Sequence, residues 1–269
     1  MRNMTAAREL AGTSQSLVRG LAILSAFKPS QPLLGVSDLA REVRLSRSTA
    51  HRYIATLTEL GYLEQDGPTR KYRLGPRVLD LGFSAINSME LREISLPHLQ
   101  QLSDETGHTV NMAILDGVDI VYVERVRSSR QGQRDIDLNL HVGSRLPAYC
   151  TSMGKVLLAF LPDERRRVVI ERSELSRRGP NTITAKAELV DELERVRARG
   201  LAVNNEELAY GLRSIAAPVR SQSGEVVAAI NLAVHRSMVS VEDLVVNLGP
   251  PLLRAADEIS ARSGYRPFD

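Results

Sequence analysis

Apolar residues in the first quarter of the chain recur at the three- and four-residue spacing that is typical of helices. This spacing predicts a first helix over residues 14–27. The apolar side of that helix consists of Leu17, Leu21 and Leu24. Residues 35–60 then predict a short helix, a tight turn and a longer helix. Ser37 and Ser46 are expected to cap these two helices, because a serine hydroxyl accepts a hydrogen bond from a free backbone N–H group.

The two faces of the longer predicted helix differ in chemistry. The apolar face consists of Ala50, Tyr53, Ile54 and Leu57. The opposite face has cations and hydroxyl groups at its N-terminal end, as a helix-turn-helix presents to bases and phosphates in the DNA major groove. The candidate DNA contacts on it are Ser46, Arg47, Ser48, Thr49, His51 and Arg52. A helical hairpin with a solvated charged face is the alternative interpretation, since short motifs also match by chance.

A β-hairpin is predicted directly after the helix pair. Short apolar and aromatic runs flank the Asp-Gly-Pro turn at residues 66–68. Arg70 and Lys71 lie at its tip and return strand, where they would contact the flanking phosphates. A helix-turn-helix with a basic hairpin is typical of a winged helix, which we expect over residues 14–76, after a disordered start at residues 1–13.

Residues 77–90 predict a linker helix with an apolar stripe. The apolar residues of this helix are Val78, Leu79, Leu81, Phe83 and Ile86. This is too much apolar surface for a linker exposed to water, so we expect the helix to pair with a second copy of itself.

Residues 91–269 mix helices and strands and are expected to form a second domain. The predicted strands are residues 110–115, 120–126, 135–140, 214–219 and 226–234. The predicted helices are residues 91–105, 151–160, 163–172, 185–199 and 239–263, the last interrupted at Gly249-Pro250-Pro251. The expected fold class is therefore α+β, with an antiparallel sheet and flanking helices like those of GAF and PAS ligand sensors.

Charge separates the two predicted domains. Residues 1–78 contain 12 Lys and Arg against 6 Asp and Glu, whereas the whole chain of 269 residues has a net charge of only +3. The basic excess therefore lies in the small N-terminal unit, as expected of a module that binds a polyanion.

The rest of the composition narrows the class of protein. The chain has no apolar run of bilayer length and begins without a signal-peptide core, so we expect a cytoplasmic protein that does not contact a membrane. Cys150 is the single cysteine, which excludes an intrachain disulfide, and we interpret it as a small buried apolar residue. The five histidines lack the spacing of metal ligands, so neither a metal nor a cofactor is expected.

Seven segments distributed over almost the full length of the chain match the pattern of one protein family. They include Leu-Ser-Arg-Ser-Thr-Ala-His-Arg at residues 45–52 and Thr-Ser-Met-Gly-Lys at residues 151–155. The matching segments are residues 16–24, 45–52, 60–63, 72–75, 143–159, 200–207 and 211–218. Together they resemble the IclR family of transcriptional regulators. The resemblance implies a winged helix, an effector domain, and assembly as dimers that pair into tetramers. Residues 134–137 and 151–154 look most like members that regulate protocatechuate and β-ketoadipate catabolism.

The helix predicted to start near Thr151 is a candidate effector site. Free N–H groups at a helix start can bind a carboxylate, and Thr151 and Ser152 add hydroxyl groups. Both residues could instead only cap the helix. The resemblance implies that this turn lines the effector cavity and that Asn204, Ser214 and Asn231 add polar groups. The candidate effector contacts are Leu138, Leu140, Thr151, Ser152, Met153, Gly154, Asn204, Ser214 and Asn231.

Two departures from the family pattern and two arginines bear on this site. Position 204 is Asn where the family often has Asp, which removes a charge that would repel an anion, and Met153 is bulky where many members have a small residue. Arg145 and Arg213 could pair with an acid, although arginine is usually a surface residue.

We expect a non-enzymatic regulator that binds a palindromic double-stranded operator, a small organic acid from aromatic catabolism, and a second copy of itself. One alternative is a small-molecule enzyme with an accessory winged helix. The chain lacks a complete phosphate loop and a Gly-x-Ser-x-Gly elbow, which disfavours it. Another alternative is a ligand-independent architectural DNA-binding protein, and a polar cavity in the C-terminal domain would argue against that.

Overall fold

The computed structural model describes residues 14–28, 30–87, 90–128 and 140–266, with only the backbone described at residue 83 and at residues 85–87. Contacts divide the chain into two compact units, residues 1–88 and residues 89–269. Within the described residues, no helix has both the length and the apolar character needed to cross a membrane.

The N-terminal unit is a helix-turn-helix with a two-stranded antiparallel hairpin. Its elements are α1 (Gln15–Ser25), α2 (Val36–Glu42), α3 (Arg47–Glu59), β1 (Leu63–Gln65), β2 (Tyr72–Leu74) and α4 (Arg77–Asn87). Ile23, Leu39 and Ile54, one from each of the first three helices, are fully buried and form the centre of its core.

Of the two predicted caps, one is confirmed and the other is wrong. The Ser46 hydroxyl accepts a hydrogen bond from the Thr49 N–H at 3.2 Å and caps α3. Helix α2 begins one residue before Ser37, with Gly35 as its N-cap. The Asp38 carboxylate reaches back to accept from the Gly35 N–H at 3.1 Å, so the hydroxyl of Ser37 is not needed.

The buried side of α1 also differs from its prediction. Ile23 is buried, whereas Leu17 and Leu21 are 63% and 54% exposed. Helical spacing allows either the side with Ile23 or the side with Leu17 and Leu21 to face the core. Packing against α3 selects the side with Ile23.

The C-terminal unit is a six-stranded antiparallel sheet with helices on both faces, which confirms the predicted α+β architecture. Its strands are β3 (Thr109–Asp116), β4 (Asp119–Val126), β5 (Arg145–Pro147), β6 (Ala202–Asn205), β7 (Leu212–Arg220) and β8 (Val226–His235). Their spatial order is β5-β4-β3-β8-β7-β6. The short strands β5 and β6 were not predicted. The predicted strand at 135–140 lies outside the described residues except for Leu140, which is not in a strand.

The helices of this unit are α5 (Glu90–Thr106), α6 (Ser152–Ala159), α7 (Asp163–Arg172), α8 (Lys186–Arg199), α9 (Val241–Asp243) and α10 (Gly249–Arg262). Helix α6 packs on one face of the sheet beneath α8, while α5 and α10 pack on the other face. The last helix is interrupted as predicted, but the irregular part is a π-helical turn over Leu244–Leu248, just before Gly249 and not at Gly249-Pro250-Pro251. The prolines after Gly249 occupy the first turn of α10, where no intrahelical N–H bond is lost.

Candidate functional site

The outward face of α3 combines cations with hydroxyl groups. Arg47, His51 and Arg52 are exposed, and within the described residues neither arginine forms an ion pair with an acid. Next to them, the Ser46 hydroxyl lies 3.1 Å from that of Ser48 and 2.8 Å from that of Thr49. This face can therefore donate hydrogen bonds and positive charge to one partner surface.

The hairpin adds two further cations at its tip. Arg70 and Lys71 are exposed, and the Arg70 N–H donates to the Asp66 carbonyl at 2.9 Å to close the turn. Hydrogen bonds from the hydroxyl and the backbone of Thr69 lower the pKa of Asp66. Arg73 differs from its neighbours because it forms an ion pair with Glu64 at 3.1 Å.

A cavity of about 560 Å³, counted with its opening to solvent, lies on the α6 face of the sheet. Five sequence-predicted residues line it: Leu140, Thr151, Asn204, Ser214 and Asn231. The lining residues that sequence reasoning missed are Thr109, Asn111, Tyr122, Arg125, Leu208, Leu212, Ala233, Val234 and His235. Among the described lining residues Arg125 is the one permanently charged side chain, and none is an acid.

A row of polar side chains crosses three adjacent strands at this cavity. Arg125 on β4 stands opposite Asn111 on β3, and Asn111 stands opposite Asn231 on β8. The Arg125 Nη1 group donates to Asn111 Oδ1 at 2.9 Å. The Asn111 Nδ2 group in turn donates to Asn231 Oδ1 at 2.8 Å. Because the two asparagines are buried, these bonds hold the amide groups in one orientation.

The polar residues at the other side of the cavity are bonded to α6 and its preceding loop. The Ser214 hydroxyl lies 2.7 Å from the Ser152 hydroxyl, and both are buried. The Asn204 Nδ2 group donates to the Cys150 carbonyl at 2.6 Å, and its Oδ1 accepts from the Glu207 N–H at 3.2 Å. Asn204 therefore ties β6 to the start of α6 in addition to lining the cavity.

The first turn of α6 lies behind the cavity lining. Thr151 lines the cavity and also caps the helix, because its hydroxyl accepts from the Gly154 N–H at 3.1 Å. Ser152, Met153 and Gly154 are buried and are not among the lining residues. A Cβ atom on Gly154 would lie 2.1 Å from the Ala148 carbonyl oxygen, so the packing there is tight. Leu138, the remaining candidate, lies outside the described residues.

Arg145 and Arg213 do not line the cavity. Arg145 pairs with Asp116 at 2.7 Å at the edge of the sheet. Arg213 donates to the Asn205 side chain and to the Val239 carbonyl, both at 2.8 Å. Burial raises the pKa of Cys150 to about 12, as expected for an unreactive buried thiol. No group of three potential metal ligands occurs within the described residues.

A buried ion pair adjoins the cavity through Asn204. Lys155 of α6 is 1% exposed, and its ammonium contacts Glu207 Oε1 and the Val203 carbonyl, each at 2.6 Å. Glu192 of α8 is a third acceptor at 3.2 Å. Burial raises the pKa of Glu207, although the attraction of Lys155 opposes this.

Each of the two units matches a known family model. The family model "IclR helix-turn-helix domain" matches residues 16–67, and the model "Bacterial transcriptional regulator IclR C-terminal" matches residues 83–261.

Two curated relatives are regulators. The chain is 38% identical to the Pca regulon regulatory protein of Pseudomonas putida, over 91% of this chain and 82% of that protein. It is 34% identical to the p-hydroxybenzoate hydroxylase transcriptional activator of Acinetobacter baylyi, over 90% and 89% of the two chains. The expected likeness to regulators of the protocatechuate pathway is thus confirmed.

A solved structure agrees with the fold. This is an IclR homologue from Microbacterium hydrocarbonoxydans in complex with 4-hydroxybenzoate. It superposes with a TM-score of 0.78 at 27% identity, and covers 93% of this chain and 99% of that one.

Proposed function

Because the chain belongs to the IclR family of bacterial transcriptional regulators, we propose that it binds a palindromic operator as a dimer and responds to a small carboxylic acid. The cavity on the α6 face of the sheet carries this proposal. Its polar groups are fixed by hydrogen bonds, and one cation but no acid lines it in the described part of the chain. Such a site attracts an anion and offers oriented groups to its remaining polar atoms.

The relatives support an aromatic acid, or an acid formed by opening an aromatic ring, as the effector. One relative is named for p-hydroxybenzoate hydroxylase, another for the Pca regulon, and a homologous structure holds 4-hydroxybenzoate. The cavity offers the mixed lining that such a molecule needs, with Leu140, Leu208 and Tyr122 beside the amide and hydroxyl groups.

The charged face of the N-terminal unit supports operator binding. The predicted contacts on α3 and at the hairpin tip are exposed, except for Thr49, which is partly buried. In a winged helix the helix corresponding to α3 enters the major groove, and the wing lies against the phosphates. We assign base and phosphate contacts to residues 46–52, and further phosphate contacts to Arg70 and Lys71.

Of the alternatives, a ligand-independent architectural protein is disfavoured by the polar cavity, which such a protein would not need. An enzyme with an accessory winged helix is disfavoured by the same cavity. The Ser214 hydroxyl in its lining faces another hydroxyl, that of Ser152, and not a base that would activate it.

Thermal denaturation of the full chain with a panel of aromatic and aliphatic acids tests the effector. A ligand at 100 times its Kd adds about 2.7 kcal/mol to the free energy of unfolding, which raises Tm measurably. The acids that raise Tm should also change the affinity for promoter DNA in gel-shift titrations. If no carboxylic acid raises Tm, the effector class is wrong. If an acid binds but leaves DNA affinity unchanged, the regulatory role is wrong.

A further inference from the structure

We propose that Arg125 binds the carboxylate of the effector, and that the start of α6 does not. This inference rests on the proposed function and names the group that recognises the acid. Arg125 projects from β4 into the cavity, and its planar guanidinium can donate two parallel hydrogen bonds to a carboxylate.

The first turn of α6 is buried and capped by the protein itself. The Gly154 N–H donates to the Thr151 hydroxyl, and the Lys155 N–H makes the first hydrogen bond of the helix, to the Thr151 carbonyl at 2.9 Å. The side chains of the first turn of α6, at residues 152–154, lie outside the cavity lining. A carboxylate in the cavity therefore lies beside Arg125, a lining residue, whereas residues 152–154 are buried behind the lining.

Asn111 orients the Arg125 guanidinium before a ligand binds. Its Oδ1 accepts from the Arg125 Nη1 group, and its Nδ2 is held by Asn231, so the acceptor cannot rotate away. A guanidinium that is oriented before the ligand arrives loses less rotational freedom when it binds. The pair is thus a binding residue with a positioning residue behind it.

This assignment also sets the direction of the ligand. Strands β4 and β7 are separated by three strand spacings, about 14 Å, before side chains are added. A carboxylate at Arg125 directs the other end of an aromatic acid across β8 towards Ser214 on β7. Ser214 then meets a distal hydroxyl or keto group, and not the carboxylate.

The test compares a carboxylic acid with its uncharged amide by calorimetric titration of the full chain. The probes are 4-hydroxybenzoate, protocatechuate and benzoate, each with its amide, and adipate as an aliphatic acid. We expect wild-type protein to bind its preferred aromatic acid at least about tenfold more tightly than the amide, because hydrogen bonds to charged groups contribute strongly. Arg125→Met should weaken binding of the acid about tenfold to a hundredfold and change the affinity for the amide less than about threefold.

Two matched variants separate the carboxylate contact from other effects. Arg145→Met removes an arginine from the edge of the same sheet and should leave both affinities unchanged. Ser214→Ala should reduce the preference for 4-hydroxybenzoate over benzoate and leave the preference for acid over amide intact. If Arg125→Met does not fold, Arg125→Gln, which keeps a donor for Asn111, replaces it.

Each result decides between the two proposals. Equal wild-type affinity for acid and amide, or an acid preference that survives loss of Arg125, would overturn the assignment while the effector class stands. Loss of the preference for acid over amide in Arg145→Met would indicate that the carboxylate binds at the edge of the sheet and not at Arg125. Failure of every acid to bind wild-type protein would overturn the effector class, and this assignment with it.

Discussion

Lys155 is a buried cation whose charge is balanced locally. Its ammonium is surrounded by the Glu207 carboxylate, the Glu192 carboxylate and the Val203 carbonyl, so its three donors have partners. Glu207 in turn donates its backbone N–H to Asn204, a lining residue of the cavity. The ion pair therefore fixes the segment that carries one wall of the cavity.

Removing one member of this pair should be costly. Lys155→Met leaves the Glu207 carboxylate buried without its cation, so we expect a loss of about 3 kcal/mol in the free energy of unfolding. Urea denaturation of the full chain measures it. The double variant Lys155→Met, Glu207→Leu should recover part of the loss, since neither charge then remains. A single variant as stable as wild type would mean that water reaches this site.

His108 gives the C-terminal unit a dependence on pH. Burial lowers the pKa of His108, so the folded domain prefers the neutral ring. As the pH falls below about 6.5, the unfolded chain takes up this proton first and stability is lost. Between about pH 7.5 and 5.5, His108→Gln should lose less stability than wild type, by no more than about 1.4 kcal/mol per pH unit. Denaturant titrations at the two pH values give the free energy of unfolding of wild type and His108→Gln. Equal losses in the two proteins would contradict the role of His108 in this pH dependence.

At the scale of elements, the proposed DNA interface would divide two tasks between α3 and the hairpin. The helix has short hydroxyl side chains beside its cations, which suits reading of base edges, whereas the hairpin tip carries exposed cations that suit phosphate contacts. The Ser46 hydroxyl caps the helix and also contacts the hydroxyl groups of Ser48 and Thr49, so the cap orients two of the proposed DNA contacts.

This division predicts different behaviour for the two sets of residues. Arg47→Ala and Arg52→Ala should each weaken operator binding by about 1–3 kcal/mol and relax specificity if the arginine reads a base. Lys71→Ala should weaken binding to all DNA sequences alike. It should also reduce the slope of log affinity against log salt concentration by about one. Gel-shift titrations at several salt concentrations separate these effects.

The matched control for DNA binding lies in the other unit. Arg167 of α7 is exposed and pairs with Glu164, so Arg167→Ala removes one positive charge without touching α3. Its operator affinity should equal that of wild type. If the double variant Arg47→Ala, Arg52→Ala also binds normally, α3 is not the recognition helix.

At the scale of the whole molecule, the N-terminal unit leaves apolar side chains in water. On α1 these are Leu17 and Leu21, and on α4 they are Leu79 and Leu81, at 60% and 56% exposed. Association with a second copy would cover these exposed leucines and remove their apolar surface from water. Two-fold pairing would also match a palindromic operator.

Sedimentation of the full chain at micromolar concentration should give the mass of a dimer or a tetramer. Leu79→Glu with Leu81→Glu should lower the mass, because a charge buried in an interface is unfavourable. Val168→Glu changes a single exposed apolar residue on α7 and should not alter the mass. A monomeric wild type would contradict self-association, and an unchanged mass in the double variant would place the interface elsewhere.

Local signals in the sequence determined most elements of the fold. The Ser46 cap, the turn at Asp116-Gly117 and the end of α8 at Gly200 act within a few residues, so their positions follow from neighbouring side chains. The helix-turn-helix and its basic surface could likewise be predicted from local sequence. The mistaken Ser37 cap shows the limit, because two positions only two residues apart, Gly35 and Ser37, offered comparable starts for one short helix.

Only the tertiary structure decided how the cavity is built. Asn111, Arg125 and Asn231 form one row because β3 lies between β4 and β8, an order that no local pattern encodes. A shift of one residue in register would turn these side chains to the other face of the sheet. Helix α6 likewise reads as a plausible anion site in sequence. Packing and the Thr151 cap instead hold residues 152–154 behind the cavity lining, and for this reason we assign the carboxylate to Arg125 in our proposal.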